Sequence, residues 1–142
     1  MSEFINTIDV LGDDNVFGSI IDKTITEFKD NRVNYMRNKS FYGCTLLETV
    51  DIPNVGAIEG DSFYNCSVLK TVVLRKNNKI VRLGNSEVFK NTPIESGDGY
   101  IYVPKIMTDG SSGVESYRAA TNWSTYATQI RAIEDYPKIT GG

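Results

Sequence analysis

The stretch FYGCTLLETVDIP, beginning at Phe41, returns 22 residues later as FYNCSVLKTVVL from Phe63, and this repetition constrains the fold more than any other feature. An internal period of roughly 20–50 residues marks one supersecondary unit copied along the chain, because a single unit cannot bury its own apolar face. At a separation of 22, Phe41 aligns with Phe63, Tyr42 with Tyr64, Cys44 with Cys66, Leu47 with Leu69, Val50 with Val72, Ile52 with Leu74 and Ile58 with Ile80. One period earlier, Ile25, Phe28, Val33, Met36 and Ser40 fall against Leu47, Val50, Val55, Ile58 and Ser62. The misfit there is Asp30, in the place of Ile52 and Leu74, which predicts that the first coil is an edge facing water. The next copy needs insertions: Phe89 stands 26 after Phe63, and Ile101, Val103 and Pro104 then oppose Val50, Ile52 and Pro53. The added residues fall in RKNN and SGDG, where polar residues and glycine make a loop cheap.

Inside each unit the spacing L-x-x-V-x-I ends in the two-residue alternation of a strand, so Leu47, Val50 and Ile52 point inward while Thr49 and Asp51 point out. Pro53 ends that strand, having no amide for a neighbour. The segment Phe41-Tyr42-Gly43-Cys44 is too short for a helix and reads as a turn across the other face. The expected fold is mainly β with short helices: a solenoid of about four coils of ~22 residues over 19–110.

An open stack leaves an apolar face at each end, so caps are expected. Residues 111–136 supply a helical one: Ser112 opens a first helix with Val114 and Tyr117 on one face, and Ser124 opens a second through Tyr126, Ala127, Ile130 and Ile133. Trp123, between them, is read as the anchor that lays the cap over the last coil. Residues 137–142 are expected to form a flexible tail, and 1–18 an N-terminal arm or cap for docking or oligomerisation. GDDN at 12–15 lacks the further spaced ligands of a calcium loop and reads as a solvated turn, so no metal is assigned.

Composition excludes more than it selects. A net charge of −3 with a pI near 5.0 and scattered basic residues gives no footprint for nucleic acid. No stretch approaches the ~20 apolar residues of a membrane span, and MSEFINTIDVLGDDNVFG lacks the basic start and apolar run of a signal peptide. Histidine is absent, which removes the usual partner of a serine or cysteine nucleophile, and no glycine motif for nucleotide phosphates follows a strand. Glu48, Asp51, Glu59 and Asp61 share one coil, so paired-carboxylate glycan chemistry stays a remote alternative against solvated surface groups. No cofactor is implied.

Cys44 and Cys66 hold equal positions in adjacent coils, and neighbouring strands lie about 4.8 Å apart, within the range of roughly 4.4–6.8 Å between α-carbons that a disulfide spans. The alternative is a ladder of free, buried thiols filling a tight bend, and Thr92 in the same slot of the next coil favours it. Binding is sought on the outward strand positions: Glu27 and Lys29, then Thr49 and Asp51, Thr71 and Val73, and Tyr100 and Tyr102. Tyrosine offers rigid contact area and a hydroxyl at low entropic cost, which makes the last pair the expected anchor unless the cap packs on it.

The units SFYGCTLLETVDIPNVGAIEG and SFYNCSVLKTVVL resemble the BspA-like leucine-rich repeats of bacteria, with the pattern A-F-x-x-C-x-x-L-x-x-I-x-I-P-x-x-V-x-x-I-G. The closing YIYVP and SYRAATNWSTYATQI are similar to the tyrosine-rich final strand and cap of such proteins, so the resemblance runs from about Ile20 to Glu134. It implies a non-enzymatic binding or structural role, since members are mostly bacterial surface proteins of adhesion and protein or matrix binding, and others come from bacteriophages and prophages. Family adhesins carry a signal peptide and many repeats, so the expectation here is a phage virion component (tail, fibre or head decoration) contributing to host attachment. The alternative is a repeat module of a bacterial cell-surface adhesin. Expected partners are other virion proteins or a host-surface protein or glycan, with a homo-oligomer also possible.

Overall fold

The computed structural model describes residues 16–19 and 22–142. The chain alternates between two parallel sheets. One holds β1 (Val16–Phe17), β3 (Tyr35–Met36), β5 (Ala57–Ile58) and β7 (Arg82–Leu83) in that order. The other holds β2 (Glu27–Lys29), β4 (Thr49–Asp51), β6 (Thr71–Val73), β8 (Tyr100–Val103) and β9 (Ile130–Ala132). Each repeat gives one strand to each sheet, and equal sequence positions become register partners: Phe28, Val50, Val72 and Ile101 align, as do Glu27, Thr49, Thr71 and Tyr100. The strands are short because only the V-x-I part of the motif alternates, and their middle residues face the shared core.

A ladder of aromatic rings fills the space between the sheets. Phe17, Phe41, Phe63 and Phe89 stack ring on ring at 5.0, 5.3 and 5.5 Å. The turns that carry them are fastened across repeats, Phe41 N–H to the Ser62 carbonyl at 2.8 Å and Phe63 N–H to the Val88 carbonyl at 3.1 Å. Two residues after each phenylalanine of the three clear units the backbone is left-handed, at Gly43 (φ 75°), Asn65 (φ 64°) and Asn91 (φ 61°). Glycine and asparagine tolerate that conformation, which explains why the otherwise constant motif varies only between these two there.

Three expectations are corrected here. Ile58 pairs with Leu83, not with Ile80, because the RKNN insertion pushes β7 three residues further along and leaves Ile80 half-buried at the core's margin. Asp30 does not face water; it is 1% exposed, accepting the Arg32 amide at 2.6 Å and pairing with the Arg32 guanidinium at 3.3 Å. Its carboxylate closes the turn after β2, so a charge fits where the other repeats place an aliphatic side chain.

The third concerns the C-terminal end. Helix α1 (Pro93–Ser96) starts at Thr92, whose hydroxyl accepts the Glu95 amide, and α2 (Gly113–Ala119) starts at Ser112 as the sequence predicts. The second cap helix does not run to Ile133: a 3-10 segment Trp123–Gln129 gives way to β9, which pairs with β8. Residues 130–132 alternate buried, half-buried, buried, so the two-residue period wins over the helical one there. Trp123 is buried, donates Nε1–H to the Val81 carbonyl at 2.6 Å and meets Tyr117 edge-on at 5.1 Å, while Tyr126 closes the phenylalanine stack edge-on against Phe89 at 5.2 Å. The 137–142 stretch, expected to form a flexible tail, contains α3 (Pro137–Thr140) and buries Thr140. Of the expected N-terminal arm, only 16–18 are described, and β1 belongs to the smaller sheet; the rest, with GDDN, lies outside the described residues.

Candidate binding face

The five-stranded sheet turns two columns of side chains outward. One runs Glu27, Thr49, Thr71, Tyr100, and the other Lys29, Asp51, Val73, Tyr102, Arg131. The parallel register brings together all of the outward residues read from the sequence. It does not leave them equally available. Glu27, Lys29, Thr49, Asp51, Thr71 and Tyr100 are half-buried, whereas Val73 is 1% and Tyr102 2% exposed.

The cause is the C-terminal segment, which folds back over this end of the face. Ile133 packs on Val73 and Tyr102, and Tyr136 meets Tyr102 edge-on at 5.6 Å. Arg75, which forks onto Asp51 at 2.9–3.2 Å, also donates to the Thr140 carbonyl at 2.5 Å and so ties α3 to the sheet. Arg131 lies with its guanidinium carbon 3.3 Å from the Tyr100 ring centre and 4.5 Å from that of Tyr136. Burial pushes the Tyr102 hydroxyl above its ordinary pKa, and contact with Arg131 offsets part of that rise. The expected exposed anchor Tyr102 is therefore an internal contact; Tyr100 keeps one edge outside.

Arg75, Arg131, Ile133, Tyr136 and Thr140 were not read as part of this face. A signal existed in QIRAIEDYP, where Ile130-x-Ala132 repeats the alternation of Val50-x-Ile52 and a proline follows. The 3–4 spacing of Tyr126, Ala127, Ile130 and Ile133 masked it.

The carboxylates do not assemble into a catalytic pair. Asp51 is held by Arg75 on the larger sheet. Glu59 follows the smaller sheet's β5, where it accepts a hydrogen bond from the Tyr35 hydroxyl at 2.7 Å and pairs with Arg82, and that hydrogen bond, which holds the proton on the tyrosine, raises its pKa. Asp61 takes the Asn85 amide at 3.3 Å, and Glu48 is exposed. An open groove of about 440 Å³ between α1 and the preceding turns holds Glu95 and Asp98, but Glu95 caps the Asn91 amide at 3.0 Å. Among the described residues no three metal-ligating side chains converge, and no helix is long and apolar enough to cross a membrane.

Cys44 and Cys66 are free and fully buried, one above the other, and the Cys66 thiol donates to the Phe41 carbonyl at 3.0 Å. The neighbouring thiol of Cys44, then burial, pushes the Cys66 thiol far up, while the same contact lowers that of Cys44, and both sulfurs are sealed from solvent. Thr92 continues the column, its hydroxyl donating to the Phe89 carbonyl at 2.7 Å.

The larger sheet thus presents a polar, half-open run of side chains, closed at one end by the chain's own C-terminal segment. Comparison with known families matches residues 3–108 to the BspA type leucine rich repeat region, in 6 copies. No curated protein and no solved structure matches significantly.

Proposed function

The chain belongs to the BspA-type leucine-rich-repeat family, and from that premise we propose that it is a solenoid of about four coils whose outward strand face binds a partner at a cell surface. Such repeats are typically non-enzymatic binding or structural modules. The observation that carries the reading is the register itself, which lines up Thr49 with Thr71 and Asp51 with Val73 on one rigid sheet. Recognition by a repeat array uses such a row, in which the constant positions hold the fold and the variable ones meet the partner.

The proposed setting is a phage virion component contributing to host attachment, with the virion's other proteins and a host-surface protein or glycan as partners; a bacterial surface adhesin is the second reading. Both rest on where proteins resembling this one occur. Mass spectrometry of purified particles against envelope fractions separates them. The face is tested by retention of the protein on host cells: Thr49→Arg with Thr71→Arg should lower it by roughly tenfold or more, and Ala57→Arg on the opposite sheet should not. Equal loss in both variants, or in neither, removes the face from the binding surface.

A further inference from the structure

Four of the six arginines lie within reach of a carboxylate: Arg32 of Asp30, Arg75 of Asp51, Arg82 of Glu59 and Arg118 of Glu115. Arg131 is half-buried and has no such partner among the described residues. The two acids that follow it are turned away, Glu134 accepting the Lys105 amide and Asp135 the Lys105 ammonium, each at 2.9 Å. Its guanidinium instead lies against the Tyr100 and Tyr136 rings and meets the Tyr102 hydroxyl, which leaves part of its N–H fork for a ligand. A planar fork held in place without an anion is prepared for a bidentate carboxylate.

The neighbouring column indicates what carries that carboxylate. The Thr49 and Thr71 hydroxyls make no hydrogen bond among the described residues, stand at the strand spacing of about 4.8 Å, and lead to the Tyr100 ring beneath Arg131. The apolar positions that would seat a peptide's anchor, Val73 and Tyr102, are already filled by Ile133 and Tyr136. A sheet face offers no main-chain edge for an added strand. Hydroxyl-bearing ligands suit the open column. The acids on the same face, Asp51 and Glu27, are each neutralised by a cation, Arg75 and Lys29.

We propose that Arg131, with Tyr100 and the Thr49–Thr71 column, forms a site for a uronate-bearing polysaccharide, its carboxylate on the guanidinium and its hydroxyls on the threonines. The inference rests on the strand face being the binding surface and adds the ligand's class.

The probe is a galacturonic acid tetramer, titrated into the intact protein at low salt and followed by NMR and calorimetry. Binding should shift the signals of Thr71, Tyr100 and Arg131, weaken as salt rises, and fall by roughly tenfold or more for the methyl-esterified tetramer, the loss expected of one charge-assisted hydrogen bond. Arg131→Lys keeps the charge and loses the planar fork, and should show a similar loss with the melting temperature unchanged. Should that variant fold poorly, the acid against ester comparison on the unmodified protein decides alone. Equal binding of acid and ester, no shift at Arg131, or preference for a glutamate-rich peptide overturns the uronate site. Absence of tetramer binding while Thr49→Arg with Thr71→Arg still abolishes cell retention overturns the ligand class only; loss of both results removes the face reading as well.

Discussion

The two halves of the strand face share a backbone and differ in what lies on top of it. At β4 the outward pair is Thr49 and Asp51, half-open; at β8 it is Tyr100 and Tyr102, and the second of these is sealed under Ile133 and Tyr136. Large aromatic side chains on an outward column mark a surface that something already covers, here the chain's own end. The small hydroxyl side chains at the other end stay half-open. Apolar area removed from water stabilises whichever contact forms first, and an intramolecular one has no translational freedom to lose.

The comparison can be broken most severely from beneath. Phe63 underlies both halves, between Phe41 and Phe89, so Phe63→Ala should cost about 3–5 kcal/mol in urea unfolding and disorder open and covered ends together. Tyr102→Ala removes the covered contact alone and should cost about 2–4 kcal/mol, whereas Thr49→Ala should stay within about 0.5 kcal/mol. Equal costs for these two would erase the distinction. Alkali acts on the capped end through two buried tyrosines. Burial pushes Tyr117 and Tyr126 up to about 12 from 10.0, so the folded state holds protons that the unfolded chain has released. That stability is complete below pH 10 and lost as pH climbs towards 12, by up to about 2–3 kcal/mol for Tyr117 and less for the better-solvated Tyr126; denaturation midpoints across that window should fall, and Tyr117→Phe should flatten the slope. A smaller change at the covered end is to end the chain at Tyr136. Loss of the Arg75 hydrogen bond to Thr140 should cost about 1–2 kcal/mol and increase nitration of Tyr102, with the Thr49 end unaltered.

Much of this architecture was legible because repetition and alternation obey backbone periods. Phe28 over Val50 over Val72, the Phe89 insertion of four residues and the Thr92 slot all follow from spacing alone. Insertion lengths were harder: nothing in RKNNKIVRL says which of Ile80 and Leu83 keeps the register, since either is apolar and only the path of the loop decides. The cover over Tyr102 was hidden for another reason. It depends on contacts such as Arg75 with Thr140, 65 residues apart, and no local pattern encodes which surface a terminal segment will choose. Asp30 was misjudged because a charge is read as exposed until its turn amide and arginine are seen.

The parallel ladders also bear on how the chain finds its shape. Nearly every strand partner lies a single unit away along the sequence, as Thr49 does from Glu27 and Thr71 from Thr49, so pairing closes loops of modest and nearly constant entropy. Sheet proteins of distant pairing fold slowly for want of that economy. Order can therefore spread from one finished rung to the next like a zip, while the tie between Arg75 and Thr140 spans 65 residues and closes a far longer loop than any rung.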